Sequence, residues 1–196
     1  MKKSNLLLTL SFPMLLVSTL CGCEGGKKFD KHAPKIWSAY STENLLSDWD
    51  YFNDSVGFED RTSTLKFNTS KNEHEATQLM ITPKKFVSYF DFSIPRLKDS
   101  NGNEVDGLNF NIYATRYIEV SAPFEYDAYA GWYPDALVPM DKYIYRQHNY
   151  INKDRNQSIF VDLFTERDVP AGTYKGTGKL TLDEETYDIP IEVKVF

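Results

Sequence analysis

From residue 35 onward, apolar and polar residues alternate over most of the chain, and a period of two predicts strands. Lys35–Tyr40 reads as a short first strand. Thr64–Asn68 alternates, and Glu75–Thr82 mixes Ala76, Leu79, Met80 and Ile81 with Thr77 and Gln78 until Pro83 ends the run. Phe86–Ile94 puts Phe86, Ser88, Phe90 and Phe92 on one parity, and Leu108–Val120 is a long strand on the same pattern. Ser158–Thr165, Thr173–Leu182 and Tyr187–Val195 are the last three strands. Pro170-Ala171-Gly172 and Asp183-Glu184-Glu185 supply the turns between them, and Asn101-Gly102 marks an earlier hairpin. Ser41–Leu46 has the look of a helix start and predicts one short turn, while Asp48–Arg61 is polar and irregular. No helix of ordinary length is expected. Many short strands with turn signals predict an all-β, antiparallel β-sandwich as a single domain over residues 35–196.

The first 22 residues follow another rule. Lys2 and Lys3 precede an apolar run from Leu6 to Leu20 that Thr9, Ser11, Pro13, Ser18 and Thr19 interrupt. The run is too short and too broken for a good membrane span and reads as a secretory signal. Leu20-Cys21-Gly22-Cys23 resembles a bacterial lipobox, with Leu20 three residues and Gly22 one residue before the modified cysteine. The expectation is therefore a lipoprotein signal peptide over 1–22, a lipid-bearing Cys23 and a tether over 23–34. Glu24 follows Cys23, so the bacterial outer membrane is the expected location, with the lipid as the link to the membrane. Acyl chains such as palmitate anchor because each buried CH₂ contributes about 0.8 kcal/mol.

Composition excludes several functions. A 196-residue chain, 41% hydrophobic and 26% charged, can bury one core, but without its signal it is too short for a full (β/α)₈ barrel. The net charge is −6, and −8 once Lys2 and Lys3 leave, so no nucleic-acid partner is expected. Cys21 and Cys23 are the two cysteines, leaving no disulfide framework.

Motifs for chemistry are sparse. Glu73-His74-Glu75-Ala76-Thr77-Gln78 offers Gln78 where a helical zinc motif needs a second histidine, and the segment reads as strand. Asp99–Gly107 has Glu104 where a calcium loop needs glycine. His32, His74 and His148 are scattered, there is no Gly-x-Ser-x-Gly elbow, and Gly172–Gly178 is not a phosphate loop. No metal, cofactor or catalytic residue is assigned.

Pro123–Gln157 lacks periodicity and predicts a long functional loop. It contains Phe124, Tyr126, Tyr129, Trp132, Tyr133, Tyr143, Tyr145 and Tyr150, mixed with Asp127, Asp135 and Asp141. Aromatic faces stack on sugar rings, and carboxylates accept hydroxyl hydrogen bonds. Tyr126, Tyr129, Trp132, Tyr133 and Asp135 are the candidate contacts for a glycan or partner. The competing reading packs these rings over the sandwich edge, and burial of Trp132 separates the two.

Three segments resemble one family. Asn72–Gln78 is similar to an N-E-x-E-x-x-Q strand, Gly131–Pro139 to a W-x-P-D-x-L-x-P loop, and Val169–Gly176 after a strand to an x-x-P-x-G-x-Y-x-G ending. All three occur in order in family 123 glycoside hydrolases and related domains of unknown function. The resemblance covers Ile36–Phe196 and implies the N-terminal β-sandwich of that family. There, catalysis belongs to a following barrel whose Asp-Glu pair supports hydrolysis of N-acetylgalactosaminides. No barrel residue has a counterpart here, so the resemblance implies a non-catalytic module in a glycan-related setting. Two other readings stand beside it: a truncated N-terminal fragment of such a glycosidase, and a scaffold that docks a partner protein or a separate barrel. Glu73, Glu75, Gln78 and Asp135 are expected to be structural, tying the sandwich to the Pro-Asp loop by hydrogen bonds.

Overall fold

A computed structural model describes residues 33–54, 61–122, 129–140 and 148–196. The expected signal peptide, Cys23, most of the tether and Tyr126 lie outside the described residues. The elements run β1 (Lys35–Tyr40), α1 (Tyr51–Asp54), β2 (Leu65–Thr69), β3 (Glu73–Thr82), β4 (Phe90–Ser93), β5 (Leu108–Val120), β6 (Gly131–Pro139), β7 (Gln157–Thr165), β8 (Gly172–Leu182) and β9 (Glu185–Val195). They form two sheets, ordered β1-β3-β7-β5-β6 and β2-β9-β8-β4. The all-β sandwich predicted by alternation is what the chain adopts. Among the described residues no helix is long and apolar enough to cross a membrane.

The core lies between the sheets. Leu79 and Ile81 of β3 and Ile159, Val161 and Leu163 of β7 meet Phe67, Phe90, Leu180, Ile191 and Val193 of the other sheet. Each such side chain contributes roughly 1.5–3 kcal/mol by leaving water. Gly178 leaves room for the Phe92 ring, because a Cβ there would stand 2.8 Å from it. Tyr174 spans the β7–β8 corner, its hydroxyl donating to the Pro170 carbonyl at 2.6 Å.

Four departures from the sequence reading have physical causes. First, β2 pairs with β9 in parallel, Leu65 opposite Ile191 through Thr69 opposite Val195, while the other strand pairs are antiparallel. The paired segments lie far apart in the chain, so no local pattern announces it. Second, the helical turn at Ser41–Leu46 is not formed. The Glu43 carboxylate accepts the Tyr40 N–H at 2.8 Å, but Leu45 is drawn into a cluster with Trp37 and Met80. The short helix starts later, where Asp50 Oδ1 accepts from the N–H groups of Phe52 and Asn53. Third, the strand expected over Phe86–Ile94 is only β4, because Val87 exchanges both backbone hydrogen bonds with Ile151 instead.

Fourth, Gly131–Pro139 inside the expected loop is a strand. Its two prolines argue against a central strand, but β6 is the sheet edge, where missing N–H groups cost no ladder bond. Between Thr115↔Leu137 and Tyr117↔Pro134 the register shifts. Asp135 and Ala136 therefore face the single residue Arg116, which makes a β-bulge of the Pro-Asp motif.

Candidate functional site

The site lies beside an arch of chain that crosses the outer face of the five-stranded sheet. Met80 faces away from the main core, since its neighbours Leu79 and Ile81 point into it. The segment after β1 crosses this face as an arch. Leu46 N–H donates to Tyr51 Oη at 2.7 Å, and Ser47 N–H to the Trp132 carbonyl at 2.9 Å. Asp48 Oδ1 accepts the Trp132 N–H at 3.0 Å. Gly131 admits this approach, because a Cβ there would meet Leu46 at 2.8 Å.

Two buried amides hold the arch down. Asn156 Nδ2 donates to the Leu46 and Trp49 carbonyls at 2.9 and 2.8 Å, and its Oδ1 accepts from Thr82 Oγ1 at 2.7 Å. Gln78 Nε2 donates to the Tyr40 and Glu43 carbonyls, and its Oε1 accepts from Ser158 Oγ at 2.8 Å. Every hydrogen-bonding direction of these carboxamides that leads into the arch is satisfied, as burial demands.

Between the arch, β5, β6 and residues 148–157 lies an open cavity of about 530 Å³. Buried Thr115 and Gln157 and the Tyr117 ring form its base. The Ser158 N–H donates to Tyr117 Oη at 3.0 Å, and burial of that hydroxyl pushes the phenol well above its usual range. Trp132, 37% exposed, and Tyr150, 45% exposed, present apolar ring surface at the rim. Arg116, His148 and Arg155 also line it. Arg116 donates to the His148 carbonyl at 3.1 Å and to Asn149 Oδ1 at 2.8 Å, and burial lowers its pKa from the usual value. Arg155 Nη1 stands 3.4 Å from Asp48 Oδ2, near enough for charge attraction but outside hydrogen-bond geometry.

Of the candidate contacts with described placement, Trp132 lines this cavity, and Tyr150 of the same aromatic-rich segment joins it. Tyr129 is largely exposed and leans on Trp49, ring centroids 5.3 Å apart, and Tyr133 Oη donates to the Tyr129 carbonyl at 2.7 Å. Asp135 is exposed on the bulge. The expected tie between Glu73, Glu75 or Gln78 and the Pro-Asp loop is replaced by another. Glu73 accepts the Ser70 N–H at the β2–β3 turn, Gln78 holds the arch, and Asp48 reaches the β6 backbone. The reason is topology: β3 and β6 are separated by β7 and β5. His74 sits in strand as read, within 3.1 Å of Asp162 and stacked on Phe164. Asp99 accepts from the Asn101 and Asn103 N–H groups, and Gly102 has φ +86°, as a hairpin turn requires. Among the described residues no three His, Cys, Asp or Glu side chains gather as a metal site.

Arg116 and Arg155 were not singled out. The one available signal was a cation between Thr115 and Tyr117 in a strand otherwise poor in charge.

No family model matches the chain, and no curated protein matches it in sequence. Among solved structures it is similar to a family 123 glycoside hydrolase from Clostridium perfringens, described for glycolipid glycan hydrolysis, at 16% identity and TM-score 0.60. The match covers 84% of this chain and 27% of that one, so the chain spans about a quarter of that enzyme's length. More distant are PapD-like domain 7 of human CEP192, at 14% identity and TM-score 0.37, covering 69% of this chain and 82% of that one, and the CooA pilin subunit of enterotoxigenic Escherichia coli, at 11% identity and TM-score 0.32, covering 82% and 96%. The class defined by the fold is a β-sandwich similar to part of a family 123 glycoside hydrolase.

Proposed function

We propose that this chain is a non-catalytic, glycan-binding β-sandwich module, tethered to the bacterial outer membrane through lipid on Cys23. The observation that carries the binding role is the open cavity beside the arch, which partly exposed Trp132 and Tyr150 line. Likeness in fold to part of a glycan-hydrolysing enzyme supports the same reading. Flat aromatic faces at a wet rim suit the C–H faces of sugar rings, and a volume of this size is in the range of small-ligand sites. The non-catalytic role follows the resemblance, which assigns catalysis in that family to a separate barrel.

The test is a glycan array followed by titration of the best ligand. Trp132→Ala should lower affinity by about two- to tenfold, since a stacked ring contributes on the order of 0.5–1.5 kcal/mol. Unchanged melting shows that the fold survives. An empty array, or full affinity in Trp132→Ala, overturns the reading.

A second reading treats the chain as the front of a longer glycosidase, motivated by the same fractional coverage. The intact mass of the native product separates them: about 22.7 kDa, adjusted for processing and lipid, fits the module, and a product tens of kilodaltons heavier fits the enzyme.

A further inference from the structure

The glycan-binding reading leaves the ligand's charge open, and the cavity lining bears on it. Arg116, His148 and Arg155 line the cavity, and among the described residues no carboxylate does. That polarity is local, because the chain as a whole carries −6. Arg155 is partly compensated by Asp48 at 3.4 Å. Among the described residues no carboxylate compensates Arg116: its partners there are a backbone carbonyl and the Asn149 amide oxygen, both neutral. Asp135 and Ala136 lie opposite it across the bulge, yet no described carboxylate stands within ion-pair distance of its guanidinium. A half-buried guanidinium with neutral partners keeps capacity for charge-assisted hydrogen bonds, which an anion that reaches it can fill.

Resting on the glycan-binding reading, we infer that the cavity takes an anionic saccharide: a sugar ring stacked at Trp132 and Tyr150, with its carboxylate or sulfate ester directed to Arg116. The rings account for the sugar and the arginine for the acid. A guanidinium's planar fork matches either oxyanion with two parallel hydrogen bonds. The negative charge elsewhere on the molecule opposes this weakly, because charges more than about 8 Å away are screened at physiological ionic strength.

Three probes sharing one core test it on the full chain: lactose, 3′-sialyllactose and 3′-sulfolactose, titrated by calorimetry, with inorganic sulfate as competitor. At least one anionic probe should bind about tenfold or more tightly than lactose at low salt, and the ratio should shrink as salt rises. The two anionic arms tell a carboxylate from a sulfate ester. Arg116→Gln should abolish the preference, with the anionic probe binding no tighter than lactose on the same variant, and Arg116→Lys should restore part of it. Arg116 also braces residues 148 and 149, so the wild-type preference, which needs no variant, is the primary readout. Equal binding of all three probes overturns the anionic inference and leaves the glycan reading standing. Sulfate displacing every probe at matched concentration means an adventitious ion only and also overturns it. Binding of none overturns the anionic inference, and the glycan array decides the glycan reading separately.

Discussion

Asn156 shows how much one amide can hold. Its side chain is 3% exposed and joins the arch, β3 and the start of β7 through three hydrogen bonds. Asn156→Asp keeps the shape but turns two donors into acceptors facing the Leu46 and Trp49 carbonyls. We expect a loss of about 2–4 kcal/mol in urea unfolding, with faster amide exchange over residues 46–49. Asn156→Ala should cost less than Asn156→Asp, because it leaves unpaired carbonyls but adds no buried charge; the reverse order would mean the site is wetter than its burial shows. Gln78 was legible as a structural polar residue because it falls in a motif on a predicted strand. Asn156 was not, because its partners Leu46 and Trp49 come from more than a hundred residues earlier.

At the scale of elements, the β8–β9 turn grips the segment before β4. Asp183 has φ +53°, its N–H donates to the Tyr89 carbonyl, and its carboxylate accepts from Ser88 N–H, Ser88 Oγ and Tyr89 N–H. Partial burial, the largest single influence, pushes this carboxyl up. The hydrogen bonds and the Lys85 charge together outweigh it and hold the pKa below the ordinary 3.8. A group with a depressed folded pKa contributes fully above its unfolded value and loses that contribution as pH falls through the folded value. Wild type should therefore exceed Asp183→Asn in melting temperature at pH 6, and the gap should narrow below pH about 3.8. Solvent contact keeps the whole effect within about 1 kcal/mol. A gap unchanged at pH 3 would show that the carboxylate charge is irrelevant to the grip. Strand β6 belongs to this scale too: its prolines read as loop in isolation, and only its place at an edge makes them compatible with a ladder.

For the whole molecule, the tethering proposal is tested at Cys23. Cys23→Ser should move the chain from membrane to soluble fractions in its own cells and abolish palmitate labelling; a variant still in the membrane pellet would overturn the lipid anchor. Alternation sets which residues are apolar on one face, so strands, turns and the all-β sandwich were readable from the amino acids alone. The strand pattern is local, and each residue carries it in its own side chain. The parallel β2–β9 pair, the arch over the outer face and the Arg116 bulge arise from contacts between segments distant in the chain. Only folding brings Trp132, Arg116 and Tyr150 to one cavity, because sheet order rather than sequence spacing decides which side chains share a surface.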